Sequence, residues 1–326
     1  MSSPWVAVLG AGIVGAACAR ALADAGARVR VIDPGAGRAA ASWAAAGILS
    51  PSHPETLPEA VHHLGARSLE LWREIDRRHP RIELRRTGLV LIGDDPGWLS
   101  WRGEWGLSAQ PARWLRADGS AVEARRFPEV SVVRAPRVAP ALLGDIPVER
   151  EAVSLTRLRA ESDVVVVATG AWAGPQLAEA GLRLEIAPRR GQMLLFTGGR
   201  IDAVLMEAGR EGVAVPRADG RVVVGTTLED AGFDARTVPE DLDRLEAWAR
   251  GSIPGLGARE DSWAGLRPWS AHPAPTIGRL APDLVVAVGH FRNGILLAPA
   301  TGELVADLVL GRSPRVRAGD FAPEPE

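Results

Sequence analysis

The sequence predicts an α/β protein in which a discontinuous parallel sheet is interrupted by an inserted mixed or antiparallel sheet, and three observations carry that prediction. A short apolar strand, Val6–Leu9, runs into glycines, a helix-periodic stretch and a second strand, Arg28–Ile32, which is the strand–helix–strand opening of a parallel sheet. Two further stretches, Asp163–Gly170 with its run of valines and the apolar Leu284–Val288, lie far downstream and read as strands buried on both faces. Short strand–turn units fill the chain between these pieces, the pattern of an antiparallel sheet.

Each element has its own signal. Val14, Cys18, Leu22 and Ala25 recur at helical spacing from Ile13, and Gly26 supplies the C-terminal cap. From Pro58 to His79, Ala60, Leu64, Leu71 and Ile75 fall on one side of a helix with charges opposite. The strand candidates of the second sheet are Gly88–Ile92, Met193–Phe196, Gly212–Val215 and Arg221–Val224, and a last helix is expected from Gly294 to Leu310.

Composition narrows the function classes. The chain has 326 residues, the length of about two domains. A net charge of −2 gives no reason to expect nucleic acid or an anionic membrane as a partner. A single cysteine, Cys18, rules out an internal disulfide and a cysteine-based metal site, and its place on an Ala-rich helix makes it a packing residue. His53, His62, His63, His79, His272 and His290 show no metal-ligand spacing, since the adjacent His62 and His63 face different ways on a helix. With no basic leader and no long apolar span, the expected location is cytoplasmic. Nothing in the sequence decides between a monomer and a homo-oligomer.

Gly10-Ala-Gly-Ile-Val-Gly15 sits between the first strand and the first helix. Gly10 makes the tight turn, Gly12 lets a pyrophosphate approach the backbone, and Gly15 lets helix and strand pack closely. The helix N-terminus then offers free N–H groups to phosphate. Asp33 ends the second strand, where a carboxylate accepts ribose hydroxyl hydrogen bonds. These residues alone do not separate FAD from a nicotinamide dinucleotide. Three later stretches favour FAD. Ser42–Gly47 is a run of small residues suited to a flat ligand, and Ala168, Thr169 and Gly170 offer a second backbone approach. Gly289–Gly294 ends a strand and opens the last helix, whose N–H groups suit the negative edge of a reduced flavin.

With those residues in view, the chain resembles the glycine oxidase branch of the D-amino-acid oxidase superfamily, the branch associated with thiamine synthesis. The stretches that carry the resemblance are Ala41–Leu49, Ala168–Trp172, Trp263–Pro268 and Gly289–Gly302. It implies a discontinuous Rossmann-like FAD-binding domain over 1–80, 130–188 and 265–316. A substrate domain is expected over 81–129 and 189–264, followed by a flexible tail at 317–326. It implies FAD contacts at Ile13, Val14, Asp33, Pro34, Ser42, Ala46, Gly47 and Ile48, and at the loop His290, Phe291, Arg292, Asn293, Gly294, Ile295 and Leu296. Val153 is expected beside the adenine, on a segment from Ser131 to Arg159 that looks shorter than usual.

The activity implied is oxidation of a small amino acid or amine, with oxygen as acceptor. A hydride leaves the carbon next to nitrogen for the flavin, and water hydrolyses the imine to an oxo acid and ammonia. Such chemistry asks the protein chiefly for positioning, for which a planar guanidinium on the substrate carboxylate is the natural device. Arg267 matches that clamp and Arg292 a second arginine on the substrate side. One position departs from the family: its tyrosine at the carboxylate falls on Val213, and the chain contains no tyrosine. The competing readings are a sister oxidase or dehydrogenase for sarcosine, proline or D-amino acids, a nicotinamide-dependent dehydrogenase, and a flavin-bound protein without turnover.

Overall fold

The computed structural model describes residues 3–50, 57–93 and 109–323. His53, positions 94–108 of the expected substrate domain and the last three positions of the expected tail lie outside these residues.

In the first sheet the strand order is Thr276–Ala281, Leu284–Val288, Val164–Val167, Trp5–Leu9, Arg28–Ile32 and Val148–Glu149. All neighbours are parallel except Thr276–Ala281, which turns back along Leu284–Val288. The strands are apolar without alternation because both faces are covered. Val6 and Val8 pack into a core with the helices Ile13–Asp24 and Gly294–Leu310, while Ala7 and Leu9 pack on the other face with Leu158 and Leu177. The two helices of the first face approach closely at Gly302, where a Cβ would stand 2.5 Å from the Ala17 carbonyl oxygen. A third helix, Glu59–Arg78, lies against the last one, held by Trp72 Nε1 donating to the Leu296 carbonyl at 3.1 Å.

The inserted sheet has eight strands among the described residues, in the order Leu256–Ser270, Ile186–Gly198, Val222–Gly225, Val213–Pro216, Val204–Glu207, Leu89–Ile92, Ala121–Phe127 and Gln110–Leu115. It is antiparallel apart from one parallel pair, Val204–Glu207 with Leu89–Ile92. The helix Pro239–Ser252 covers one face of it. Its two longest strands run in register from Ile186↔Ser270 to Leu194↔Ser262, so they pass straight through the expected domain boundaries at 188/189 and 264/265.

The C-terminal segment differs from expectation. Ala318–Phe321 forms a 3₁₀ turn, Phe321 is buried in the main core, and Pro323 lies against Gly278. The chain from 317 to 323 is therefore packed on the first sheet, with the Phe321 ring as its anchor. Arg317 and Asp320 lie exposed on the other side of that segment.

Candidate active site

Parallel strands deliver their carboxyl ends to one edge, and this edge is where the chemistry collects. The residues that follow four of these strands, Gly10, Asp33, Ala168 and Gly289, all line one cavity of about 680 Å³. The inserted sheet closes its other side with Met193, Met206, Val213 and Arg267. A cavity of this size falls within the range of small-molecule sites, roughly 300–1,000 Å³.

The glycine turn is built as its spacing requires. Gly10 has φ 108°, and a Cβ there would stand 2.6 Å from the Ala168 carbonyl oxygen. Gly15 does not line the cavity; its Cα faces the Gly10 carbonyl so closely that a Cβ would overlap it, which is the helix–strand contact expected of the third glycine. Gly12 caps the helix, and the Ile13 N–H donates to Ser42 Oγ at 2.8 Å. Ser42 thus joins the small-residue run to the helix start. Asp33 accepts from the Ala11 N–H at 2.6 Å through one oxygen and from the Gly35 N–H at 2.6 Å through the other.

The run from Ala40 to Ile48 lies against the strand that carries Arg267. Ala40 forms a bridge to Leu266, Trp263 Nε1 donates to the Ala44 carbonyl at 3.0 Å, and a Cβ on Gly265 would overlap that of Ala44. Only small residues allow this approach, which explains the alanine run. Arg217 fastens the other side, donating to the carbonyls of Ala46 at 3.0 Å and Val133 at 3.1 Å.

The loop from His290 to Asn293 closes the cavity between strand and helix. Phe291 has φ 44°, an unfavourable value for a bulky residue, and its N–H donates to the Pro268 carbonyl at 3.1 Å. His290 is buried, its Nε2 lies 3.0 Å from Thr301 Oγ1, and burial pushes its pKa down to about 3. Burial thus keeps the imidazole neutral near pH 7.

Arg267 is the most informative side chain. Its Nη1 donates to the carbonyls of Thr227 at 3.1 Å and Arg190 at 3.4 Å, and its Nη2 donates to Thr226 Oγ1 at 2.5 Å. All three acceptors are neutral. Burial, reinforced by the charge of Arg292, brings its pKa down to about 10, against the opposing pull of Glu229. A desolvated guanidinium beside a second one, with no carboxylate among its hydrogen-bond partners in the described residues, is a site that an anion would complete.

Of the residues expected from sequence, Gly10, Gly12, Ile13, Val14, Asp33, Pro34, Ser42, Ala46, Gly47, Ile48, Ala168, Thr169, Gly170, Arg267 and the whole run from His290 to Leu296 line the cavity. Val153 does not. It packs under the sheet in the apolar cluster of Leu155 and Leu158, because the edge strand Val148–Glu149 is two residues long and the next helix starts at Leu155. Sequence reasoning missed Gly191, which meets Arg267 through cross-strand register, and Thr226 and Thr227, which reach it from just past the end of the strand Val222–Gly225.

The residues present fit a flavin dinucleotide. The glycine cradle faces the cavity, and two cavity-lining residues, Thr169 and Gln176, keep a buried side-chain oxygen with no partner among the described residues. No group of three or more His, Cys, Asp or Glu among the described residues is placed to hold a metal ion, and none of their helices is long and apolar enough to cross a membrane.

Comparison with known proteins points the same way. The chain is 33% identical to the glycine oxidase of Pseudomonas putida, covering 99% of both chains. It is 32% identical to the glycine oxidase of Pseudomonas aeruginosa, covering 98% of this chain and 99% of that one. Its fold superposes on the crystal structure of glycine oxidase from Geobacillus kaustophilus with a TM-score of 0.83 and 26% identity, covering 99% of this chain and 98% of that one. Residues 6–308 match the FAD dependent oxidoreductase family, so the chain belongs to that family and FAD is its cofactor.

Proposed function

We propose that the protein oxidises glycine or another small amino acid at the α-carbon, with water and oxygen as co-substrates and an oxo acid, ammonia and hydrogen peroxide as products. The observation that carries this reading is Arg267, a desolvated guanidinium with only neutral acceptors, in the same cavity as the dinucleotide cradle. The relatives named glycine oxidase support the same class of substrate.

FAD, when bound, supplies the hydride acceptor. The chain's own work is to hold the substrate so that its α-carbon meets that acceptor. Arg267 takes the carboxylate through its planar fork, and Thr226 and Thr227 fix the plane of the fork from behind. Arg292 adds positive charge on the exposed side of the same cavity. Leu89, Met193, Met206 and Val213 give the neighbouring wall an apolar surface. That wall excludes water and favours a neutral amine over an ammonium, which is the form that can lose a hydride.

Val213 sets the substrate range. It is 8% exposed and stands opposite Gly225, whose bare backbone is covered by the Met193 thioether, so Val213 and Met193 together form the wall at this point. With no hydroxyl there, the carboxylate is held by guanidinium groups without help from a phenol, and the freed volume accepts apolar substituents. The test is an assay of peroxide and oxo acid over glycine, sarcosine, D-alanine and D-proline. Equal production of both from at least one of these supports the reading; absence of both from all four, with FAD bound, contradicts it.

A further inference from the structure

Gln192 is buried at 0% exposure between two residues that line the cavity, Gly191 and Met193. Side chains alternate along a strand, so Gln192 points to the opposite face, toward the helix Pro239–Ser252 and the apolar cluster that includes Leu194 and Phe196. A carboxamide in such a place needs partners for both its amide N–H groups and its oxygen, and it has them. Nε2 donates to Glu229 Oε1 at 2.6 Å and to Asp241 Oδ2 at 2.8 Å, while Oε1 accepts from the Val238 N–H at 2.6 Å. Its backbone N–H donates to Thr227 Oγ1 at 3.0 Å.

Thr227 and Glu229 sit near one end and Val238 at the other of the stretch from Thr226 to Val238 that joins the strand Val222–Gly225 to the helix Pro239–Ser252, and Asp241 lies in the first turn of that helix. The first end is the one that grips Arg267, through Thr226 Oγ1 and the Thr227 carbonyl. Glu229 extends the grip: it accepts from Thr227 Oγ1 at 2.5 Å and pairs with Arg190. Burial alone would push the Glu229 carboxyl upward, but hydrogen bonds from Thr227, Gln192 and Arg190, with the Arg190 charge, bring it below the ordinary carboxylate range.

We infer that Gln192, which does not line the cavity, is a positioning residue for the substrate clamp: it straps both ends of the 226–238 connection and so fixes Thr226 and Thr227 behind Arg267. The inference rests on the reading of Arg267 as the carboxylate clamp. Small displacements of the fork matter here, because the hydrogen bonds it offers a carboxylate weaken steeply as their distances and angles depart from the ideal.

The test uses the FAD-loaded enzyme and acetate, a carboxylate with no amine to oxidise, titrated against the flavin's visible absorption. Gln192→Met keeps length and removes all three side-chain hydrogen bonds; Gln192→Asn keeps the amide but is one methylene too short to span its partners. Both variants are expected to bind acetate more weakly by about tenfold or more, with glycine KM rising in parallel and kcat staying within about twofold, the pattern of lost uniform binding. Either variant suffices if the other does not fold with FAD. Lower thermal stability with unchanged acetate affinity in the folded, FAD-loaded variants would mean a purely structural role and would overturn the inference. Arg267→Ala, run alongside, separates the two claims. If it binds acetate normally, the clamp reading itself falls. If it loses acetate while the Gln192 variants do not, only the positioning role of Gln192 falls.

Discussion

Gly191 and Arg267 occupy a space that only one side chain can fill: a Cβ at position 191 would overlap both Nη atoms of the guanidinium. Register explains it. Gly191 stands directly opposite Gly265, and the pleat turns Arg267 to the same face two residues on, so the guanidinium folds diagonally over the bare backbone. Gly191 is in this sense part of the clamp. Gly191→Ala is expected to keep FAD yet lose carboxylate affinity by on the order of ten- to a hundredfold, because the fork must move. Acetate titration measures it, and unchanged affinity would show that Arg267 has room to spare.

Arg267→Ala is expected to retain FAD and to lose roughly 3–5 kcal/mol of transition-state stabilisation on carboxylate substrates, the range for breaking a buried charged pair. Arg267→Lys should recover little of it, since an ammonium cannot reproduce the hydrogen bonds made by both Nη atoms. Comparing kcat/KM for the two variants checks this, and a lysine variant near wild type would mean that charge alone matters.

The fingerprint, the helix after it, Asp33 and the closing loop were legible in the sequence because each is local: a fixed glycine spacing, a strand ending, a helix start. Leu284–Val288 and Gly294–Leu310 match expectation to the residue. What was not legible is what the folded chain assembles. Gly191, Thr226 and Thr227 are far from Arg267 in sequence and carry no motif, and the Gln192 network depends on which way a strand side chain points. The strands Gln110–Leu115 and Ala121–Phe127 escaped for another reason. They form the edge side of their sheet; Gln110–Leu115 is mostly exposed, and Glu123, Arg125 and Arg126 interrupt the apolar residues of Ala121–Phe127, so hydrophobic alternation is faint.

Val213→Tyr is expected to lower the glycine KM about tenfold or more, since a hydrogen bond to a charged group contributes roughly 1.5–3 kcal/mol. Turnover of bulkier amines should fall in the same variant. Val213→Phe adds the ring without the donor and should change only the second property. Identical glycine KM values for the Tyr and Phe variants would leave pocket volume as the whole effect.

His290 predicts a pH dependence. Burial lowers its pKa from an ordinary 6.5 to about 3 in the folded protein, so across that window the unfolded chain binds a proton that the folded chain does not. Stability contributed by the neutral imidazole is therefore full above about 6.5 and is lost as pH falls toward 3. Urea unfolding at pH 7 and pH 5 should show a smaller pH effect in His290→Gln than in wild type; equal effects would place the titration elsewhere.

Cys18 should be inert. It is fully buried, and desolvation pushes its thiol up to about 12, so little thiolate exists at pH 8 and no reagent can reach it. Thiol reagents should label it only at the rate of unfolding, with fast labelling of the native protein as the contrary result.

The central claim, that this chain passes a hydride from an amino acid to bound FAD, is tested most directly by mixing the purified protein with glycine, sarcosine, D-alanine or D-proline in the absence of oxygen and following the flavin's visible band. The account predicts that at least one of them bleaches the band, that readmitting oxygen restores it with formation of one peroxide per flavin, and that Arg267→Ala slows the bleaching by roughly two orders of magnitude or more. A protein that holds FAD in full and is bleached by none of the four, while a chemical reductant bleaches it normally, would contradict it.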